Sequence, residues 1–153
     1  MAPRTFSSQL RLALAGLLLA GAADAEPAAN TSTISANVGP LRAVKGSLGC
    51  RLYTSGNGFP RTLTGTTRRR VKVTGNLARC VFEQVPPGTY AVMVHHDEND
   101  NGKMDKNLIG MPVEGYGASN NRTHALSAPT WDESKFVIEG SGRTRALSIA
   151  LRY

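Results

Sequence analysis

The feature that most constrains this sequence is an alternation of apolar and polar residues in short segments that are separated by turns. The clearest segments are 46–54, 70–74, 78–84, 89–95 and 145–153. A period of two is typical of strands that bury one face. No segment after residue 25 shows a helical period over ten residues. The 16 glycines and eight prolines supply the turns that such strands need.

Together with weaker segments at 34–38 and 136–138, the sequence contains about seven short strands. A chain of 153 residues has room for one domain. We therefore predict an all-β fold, an antiparallel β-sandwich of Ig-like or transthyretin-like type, over residues 34–153. A flexible tail at residues 26–33 precedes it. One long irregular insert, from Asp97 to about Ser134, separates the fifth strand from the sixth.

The N-terminus has the pattern of a secretory signal peptide. Basic residues precede an apolar run from Leu12 to Ala20, and Ala23-Asp24-Ala25 is a small-x-small cleavage pattern. We predict residues 1–25 as the signal peptide, with cleavage after Ala25. The alternative is a membrane anchor, but the run is too short to cross about 30 Å of hydrocarbon comfortably. We expect a periplasmic or secreted protein that does not span the membrane.

The only two cysteines are Cys50 and Cys80. In an oxidising compartment an even number of cysteines usually forms disulfides. Closing a loop of this length stabilises a fold by roughly 3–4 kcal/mol in the chain-entropy model. We therefore predict a Cys50–Cys80 disulfide. Two buried free thiols are the alternative, and the spacing fits neither a Cys-x-x-Cys redox pair nor a zinc site.

Basic residues outnumber acidic ones, with a formal net charge of +7, and they are densest at Arg68-Arg69-Arg70 and Lys72. Such a cluster can contact nucleic acid, anionic lipid or acidic polysaccharide. It lacks the interleaved aromatic residues of nucleic-acid-binding surfaces. We expect a solvated strand whose charge prevents pairing with other chains. We assign no partner from the sequence: nucleic acid is not expected, and a carbohydrate or another envelope component is one candidate.

One loop combines residue types that are typical of metal ligands. Numbered from Asp97, positions 1, 3, 5, 7 and 9 are Asp97, Asn99, Asn101, Lys103 and Asp105, and position 6 is Gly102. This is the spacing of EF-hand calcium loops, in which position 7 contributes its backbone carbonyl and glycine permits the sharp turn. Position 12 is Leu108 instead of the bidentate glutamate, and Glu114 is the candidate to fold back in its place.

Calcium is one hypothesis for this loop, with an affinity in the weak extracellular range of about 10⁻⁴–10⁻³ M. No helices flank the loop, so an EF-hand is not expected. The alternative is structural, because Asp and Asn side chains form compact turns by hydrogen-bonding their own backbone without any metal.

Three residues near the insert, His96, Tyr116 and Trp131, form a candidate ligand surface. Tyr and Trp rings could stack on a sugar or another small ligand, although each ring could equally belong to the core. A hydrolase using His96, Asp97 and Glu114 is a further alternative. Neither a His-Glu-x-x-His motif nor a Gly-x-Ser-x-Gly motif is present, so we assign no catalytic residues and expect a non-enzymatic protein.

The chain resembles an exported bacterial family, the domain of unknown function 2141. The resemblance lies in five motifs: Val85-Pro-Pro-Gly-Thr-Tyr-Ala-Val, His96-Asp-Glu-Asn, Asn101-Gly-Lys-Met-Asp, Gly110-Met-Pro-Val-Glu-Gly-Tyr-Gly and Ser119-Asn120-Asn121. It covers residues from about 34 to 153 and implies a secreted β-sandwich module without an assigned activity.

The Pro-Pro-Gly-Thr-Tyr segment is also similar to transthyretin-like and carboxypeptidase-regulatory-like domains, which mostly bind or support other components. One transthyretin-like branch hydrolyses hydroxyisourate and ends in Tyr-Arg-Gly-Ser. This chain ends instead in Ala150-Leu151-Arg152-Tyr153.

Overall fold

A computed structural model describes residues 30–122, 124 and 127–153. The predicted signal peptide at residues 1–25 lies outside the described residues. The described chain forms eight strands and a short helix: β1 (Ser32–Val38), β2 (Ser47–Tyr53), β3 (Thr67–Lys72), β4 (Ala78–Val85), β5 (Gly88–Asp97), β6 (Gly115–Ala118), α1 (Trp131–Ser134), β7 (Phe136–Ile138) and β8 (Thr144–Ile149). A 3₁₀ turn at Ser119–Asn121 follows β6. The prediction of an all-β fold is confirmed.

The strands form two sheets. One has three strands in the order β4-β1-β8, and the other has the order β3-β2-β5-β6, with β7 pairing to the first residues of β5. Neighbouring strands are antiparallel with one exception, because β1 and β8 run parallel. The predicted antiparallel sandwich is confirmed apart from this one pair, in which β8 returns beside β1 after the strands of the second sheet.

The insert is less irregular than predicted, because it contains β6, the 3₁₀ turn and α1. The sequence pattern did not predict strand β6 because the strand includes Gly115 and Gly117, and glycine is depleted in strands. Both glycines are required by close packing. A Cβ on Gly115 would lie 2.5 Å from the Tyr153 ring, and a Cβ on Gly117 would lie 2.5 Å from the Ala150 carbonyl oxygen.

The core lies between the two sheets, where alternate residues of both are buried. Its fully buried side chains include Ile34 of β1, Leu48 of β2, Phe82 of β4 and Val92 of β5. Because β1 begins at Ser32, the last residues of the predicted tail are part of the first strand. Burial of one face of each strand is the main source of stability in such a fold.

The predicted disulfide between Cys50 and Cys80 is confirmed, with a Cα–Cα distance of 6.3 Å. Cys50 belongs to β2 and Cys80 to β4, so the bond crosses the core and joins the two sheets. Both residues are buried. In the described part of the chain, no helix has the length and apolar character needed to cross a membrane.

Candidate functional site

The Asx loop (residues 97–105) begins at the last residue of β5 and is organised around the carboxylate of Asp97. One oxygen of Asp97 accepts a hydrogen bond from the backbone N–H of Asn101 at 3.1 Å, and the other accepts one from Gly102 at 2.8 Å. The second oxygen also accepts from Arg70 Nη2 at 2.9 Å. Asp97 is buried, so these donors replace the water that its charge would otherwise require.

The other polar side chains of the Asx loop bind one another. Asn99 Nδ2 donates to Asp105 at 2.7 Å, and Asn101 Nδ2 donates to both oxygens of Asp105 at 2.9 and 3.1 Å. The amide oxygens accept from the backbone two residues further on, from Asn101 and Lys103 respectively. These are Asx turns, which order the loop without any outside partner.

Glu114 closes the Asx loop from its far end. The side chain is buried, and its two oxygens accept from the backbone N–H groups of Glu98, at 2.8 Å, and Asp105, at 3.1 Å. His95 Nε2 lies 2.8 Å from the same carboxylate. Glu114 therefore lies over the loop and binds backbone and His95, and its role as a calcium ligand stays a prediction.

Cations of β3 pair with two carboxylates of the loop, Asp97 and Asp100. Lys72 Nζ lies 2.7 Å from Asp100, and Arg70 Nη2 lies 2.9 Å from both Asp97 and Asp100. Hydrogen bonds from Lys72, and then from Ser47 and Arg70, hold the pKa of Asp100 well below its usual range. The same Asp100 bond is the main reason that the pKa of Arg70 is raised. Two residues of the basic cluster of β3, Arg70 and Lys72, are therefore paired with this loop.

The structure brings Asn99, Asn101 and Asp105 together, but it directs Asp97 toward Arg70. Among the described residues, the Lys103 side chain makes no hydrogen bond to the loop. Its backbone N–H donates to the Asn101 side-chain oxygen. Within the described ranges, no three His, Cys, Asp or Glu side chains form a set that could hold a metal ion.

The three residues of the predicted ligand surface do not meet. His96 is fully buried, and its ring nitrogens lie 2.9 Å from the Tyr153 hydroxyl and 3.0 Å from the Lys45 carbonyl. The placement of His96 on a surface is therefore wrong, because it shares the inward face of β5 with Val92 and Val94. Trp131 packs edge-on against Phe59, with the ring centroids 5.8 Å apart.

Tyr116 does line a cleft on the outer face of the five-stranded sheet. Two adjoining hollows, of about 340 and 410 Å³, share Tyr116, Met93, Met104 and Pro60 in their walls. The floor is formed by β2, β5 and β6, where register places Met93 beside Arg51 and His95 beside both Gly49 and Tyr116. The Asx loop forms one wall, and the segment between β2 and β3 forms the other. Volumes of this size are typical of small-ligand sites.

The cleft combines an apolar surface with positive charge, because Arg51 and Arg68 line one hollow and Arg61 and Lys106 line the other. Arg51 and Arg68 lie directly opposite each other on β2 and β3. Arg51 Nη1 donates to the Thr66 hydroxyl at 2.8 Å. Neither arginine takes part in an ion pair among the described residues. Two such neighbours favour an anionic group between them.

A separate hollow of about 710 Å³ lies beside α1, and most of the polar side chains in its walls are bound to other groups of the protein. Asn120 donates to the carbonyls of Glu133 and Lys135, and His124 lies 2.8 Å from Glu133. Hydrogen bonds from Thr130, and then that from His124, lower the pKa of Glu133 to about 2. This hollow lacks the apolar floor that the outer cleft has, so we take the outer cleft as the candidate site.

Of the three residues predicted as a ligand surface, only Tyr116 lines the cleft, and Arg68 was noted only as part of the basic cluster. Sequence reasoning missed Arg51, Met93 and His95, although the alternation of β2 and β5 places all three on outward faces. It also missed Met104, because the position of a loop residue over a sheet has no periodic signal.

The fold and the site define a disulfide-linked β-sandwich with an outer cleft. One wall of the cleft is the Asx loop, whose polar groups are hydrogen-bonded within the protein. The chain belongs to the family described as "Uncharacterized protein conserved in bacteria (DUF2141)", whose sequence profile matches residues 37–146. Neither curated proteins nor solved structures gave a match to this chain.

Proposed function

We propose that this protein is an exported, non-enzymatic binding module, and that its ligand is a small organic anion with an apolar body. The observation that carries the proposal is the outer cleft, in which Met93, Met104 and Tyr116 lie next to Arg51 and Arg68. A ligand of this class would bury its apolar part on the methionines and tyrosine, and would place its acid group at the arginines.

Export is part of this proposal, and two observations support it. The disulfide between Cys50 and Cys80 is typical of an oxidising compartment. The first 25 residues have the signal-peptide pattern.

The Asx loop serves this function as a wall of fixed shape. Its aspartates are satisfied by backbone N–H groups, by the amides of Asn99 and Asn101, and by Arg70 and Lys72 of β3, so its position does not depend on the ligand. A wall that is already ordered lowers the entropy cost of binding. The carbohydrate alternative rested on Tyr116 and Trp131 acting together, and Trp131 is not among the residues that line either hollow of the cleft.

Binding can be tested with the fluorescent probe anilinonaphthalene sulfonate, followed by competition with hexanoate and with hexanol. These competitors have similar apolar bodies and differ in charge. We expect hexanoate to displace the probe at least about tenfold more effectively, since hydrogen bonds between charged groups contribute roughly 1.5–3 kcal/mol. Equal displacement by the two compounds would contradict the anionic specificity.

Two substitutions locate the site. Gly49 lies on the floor of the cleft, and a Cβ there would meet only the His95 carbonyl, at an ordinary 3.8 Å. Gly49→Val should therefore fill the cleft without loss of stability and weaken probe binding by about tenfold or more. Arg68→Ala should weaken hexanoate about fivefold or more and leave hexanol unchanged.

The matched control is Arg79→Ala, which removes an exposed arginine from β4 in the other sheet. It should leave the affinities for both compounds unchanged. Unaltered probe binding in Gly49→Val would show that the outer cleft is not the site.

Calcium binding at the Asx loop is a second candidate function, favoured by the EF-hand-like spacing of Asp97, Asn99, Asn101 and Asp105. Asn99 and Asn101 direct their amide N–H groups to Asp105, so binding would require both amides to turn their oxygens to the ion. At the weak affinities expected for extracellular loops, several millimolar calcium would stabilise the fold by about 1 kcal/mol and raise the melting temperature by a few degrees. The measurement is a melting curve in calcium and in EDTA, with magnesium as the control. Identical curves would exclude this candidate.

A further inference from the structure

The hairpin tip (residues 107–110) places two aliphatic residues at the centre of a tight turn. The backbone N–H of Gly110 donates to the Asn107 carbonyl at 2.9 Å, so Leu108 and Ile109 are the two central residues. Such positions usually carry Gly, Pro, Asn, Asp or Ser. Leu108 is fully exposed and Ile109 is 83% exposed. Burial within the described fold therefore does not explain either side chain.

The tip is held in place by the ribbon on which it stands. The Asn107 side-chain oxygen accepts from the N–H groups of Ile109 and Met111 at 3.1 and 3.0 Å. The N–H of Asn107 donates to the Met111 carbonyl at 2.9 Å, and that of Val113 donates to the Asp105 carbonyl at 2.9 Å. An ordered turn presents its apolar residues without a further entropy cost on binding.

Positive charge flanks the tip. Lys103 and Lys106 are exposed, and neither takes part in an ion pair within the described ranges. The nearest carboxylate in sequence, Asp105, is directed inward to Asn99 and Asn101. The surface around the two aliphatic residues is therefore basic, and its complement is an anionic surface.

The small size of the apolar tip indicates which kind of partner surface it can bind. A stable protein interface buries about 800 Å² on each partner, which two side chains on a narrow turn cannot supply alone. Shallow insertion into a bilayer needs only a few apolar side chains together with basic residues near anionic headgroups. We propose that the hairpin tip, flanked by Lys103 and Lys106, docks this protein on anionic membranes by inserting Leu108 and Ile109. Lys106 and Gly110 also line the larger hollow of the outer cleft, but this inference needs no ligand in that cleft.

The test is co-sedimentation of the purified protein with vesicles of phosphatidylcholine alone and of phosphatidylcholine mixed with phosphatidylglycerol. We expect binding to the mixed vesicles that weakens as salt is added, and much weaker binding to neutral ones. The double variant Leu108→Ser/Ile109→Ser should bind about tenfold or more weakly. Lys103→Gln and Lys106→Gln should each weaken binding about fivefold.

Two exposed aliphatic residues elsewhere, Leu77 and Val137, provide the control. They are 68% and 63% exposed, and Leu77→Ser/Val137→Ser should bind vesicles as the unaltered protein does. Equal binding of the tip variant and this control would overturn the proposal. So would absence of binding to mixed vesicles, or self-association that is lost in the tip variant, since the latter would make a second copy the occupant.

Discussion

The Asx loop and the hairpin tip follow each other in the chain, yet they treat polar and apolar groups in opposite ways. In the Asx loop, carboxylates and amides turn inward, and Asp97 alone accepts three hydrogen bonds. In the hairpin tip, Leu108 and Ile109 turn outward to water. The Asx loop is explained by the folding of the chain, since each group satisfies another. Folding does not explain the two aliphatic residues of the tip. A residue type that folding does not require points to an interaction with a binding partner.

The largest effect should come from the centre of the Asx loop. Asp97→Ala would leave the N–H group of Gly102 without its acceptor, would leave that of Asn101 with Asn99 alone, and would remove a partner of Arg70. Unsatisfied buried groups and a broken buried ion pair each cost several kcal/mol at most, so we expect a loss of about 3 kcal/mol in the free energy of unfolding. Urea denaturation measures it.

The control for this prediction is Asp132→Ala, which removes an 81% exposed carboxylate that pairs with Lys135. An exposed pair contributes at most about 1 kcal/mol, so this change should be small. If the two variants lost the same stability, the Asx loop would not be a structural element.

A smaller effect is expected from Arg70, which lies between Asp97 and Asp100. Arg70→Met keeps much of the apolar stem and removes the charge. Asp97 would then keep its backbone donors but lose its cation. Because Arg70 is about a third exposed, solvent would screen part of the loss, and we expect about 2 kcal/mol. Arg68→Met, on the same face of β3, should cost much less in urea denaturation. An equally large cost would contradict a specific role of Arg70.

The contrast between these neighbouring regions also shows what the sequence could predict. The alternation in β2, β4 and β5 predicted their extents within a few residues, because each buries one complete face. The same alternation places His96 on the buried face, and the assignment of His96 to a surface overlooked it. Strand β3 was predicted to begin at Arg70 and begins instead at Thr67, because exposed arginines on both faces give no period.

For the candidate sites, local spacing was informative and long-range contact was not. The Asp, Asn and Gly spacing predicted an ordered loop, since Asx turns depend on residues only two to five positions apart. Nothing in that spacing shows that Arg70 would be the partner of Asp97, because the contact depends on the register of β3 against β2. The outer cleft was missed for the same reason, since the segments that bound it meet only after the sheet has formed.

Acid should weaken the Asx loop before it affects the hairpin tip, which has no carboxylate. The pKa of Asp100 is lowered mainly by Lys72. Burial raises the pKa of Glu98, but hydrogen bonds from Lys45 and Arg42 together outweigh it and the net direction is downward. A carboxylate with a lowered pKa stabilises the fold fully above its unfolded pKa, and this contribution is lost as the pH falls through the folded pKa. Stability should therefore be constant above about pH 5 and decline below about pH 4.

Asp100→Asn should remove part of this decline, and melting temperatures measured from pH 7 to pH 3 would show it. The control is Glu83→Gln, at an exposed position of β4. A decline of unchanged steepness in Asp100→Asn would show that its ion pairs with Lys72 and Arg70 do not stabilise the fold.

The smallest effect on stability should come from the hairpin tip itself. In Leu108→Ser/Ile109→Ser the backbone bonds between Asn107, Gly110 and Met111 remain, and serine is a common turn residue. Since both side chains are exposed, the free energy of unfolding should change by less than about 0.5 kcal/mol. A loss of 2 kcal/mol or more in urea denaturation would show that the two residues pack against part of the chain, and would remove the reason for assigning them to a membrane. Unchanged stability together with lost vesicle binding would show that Leu108 and Ile109 serve binding and not folding. Their exposure alone does not make this distinction.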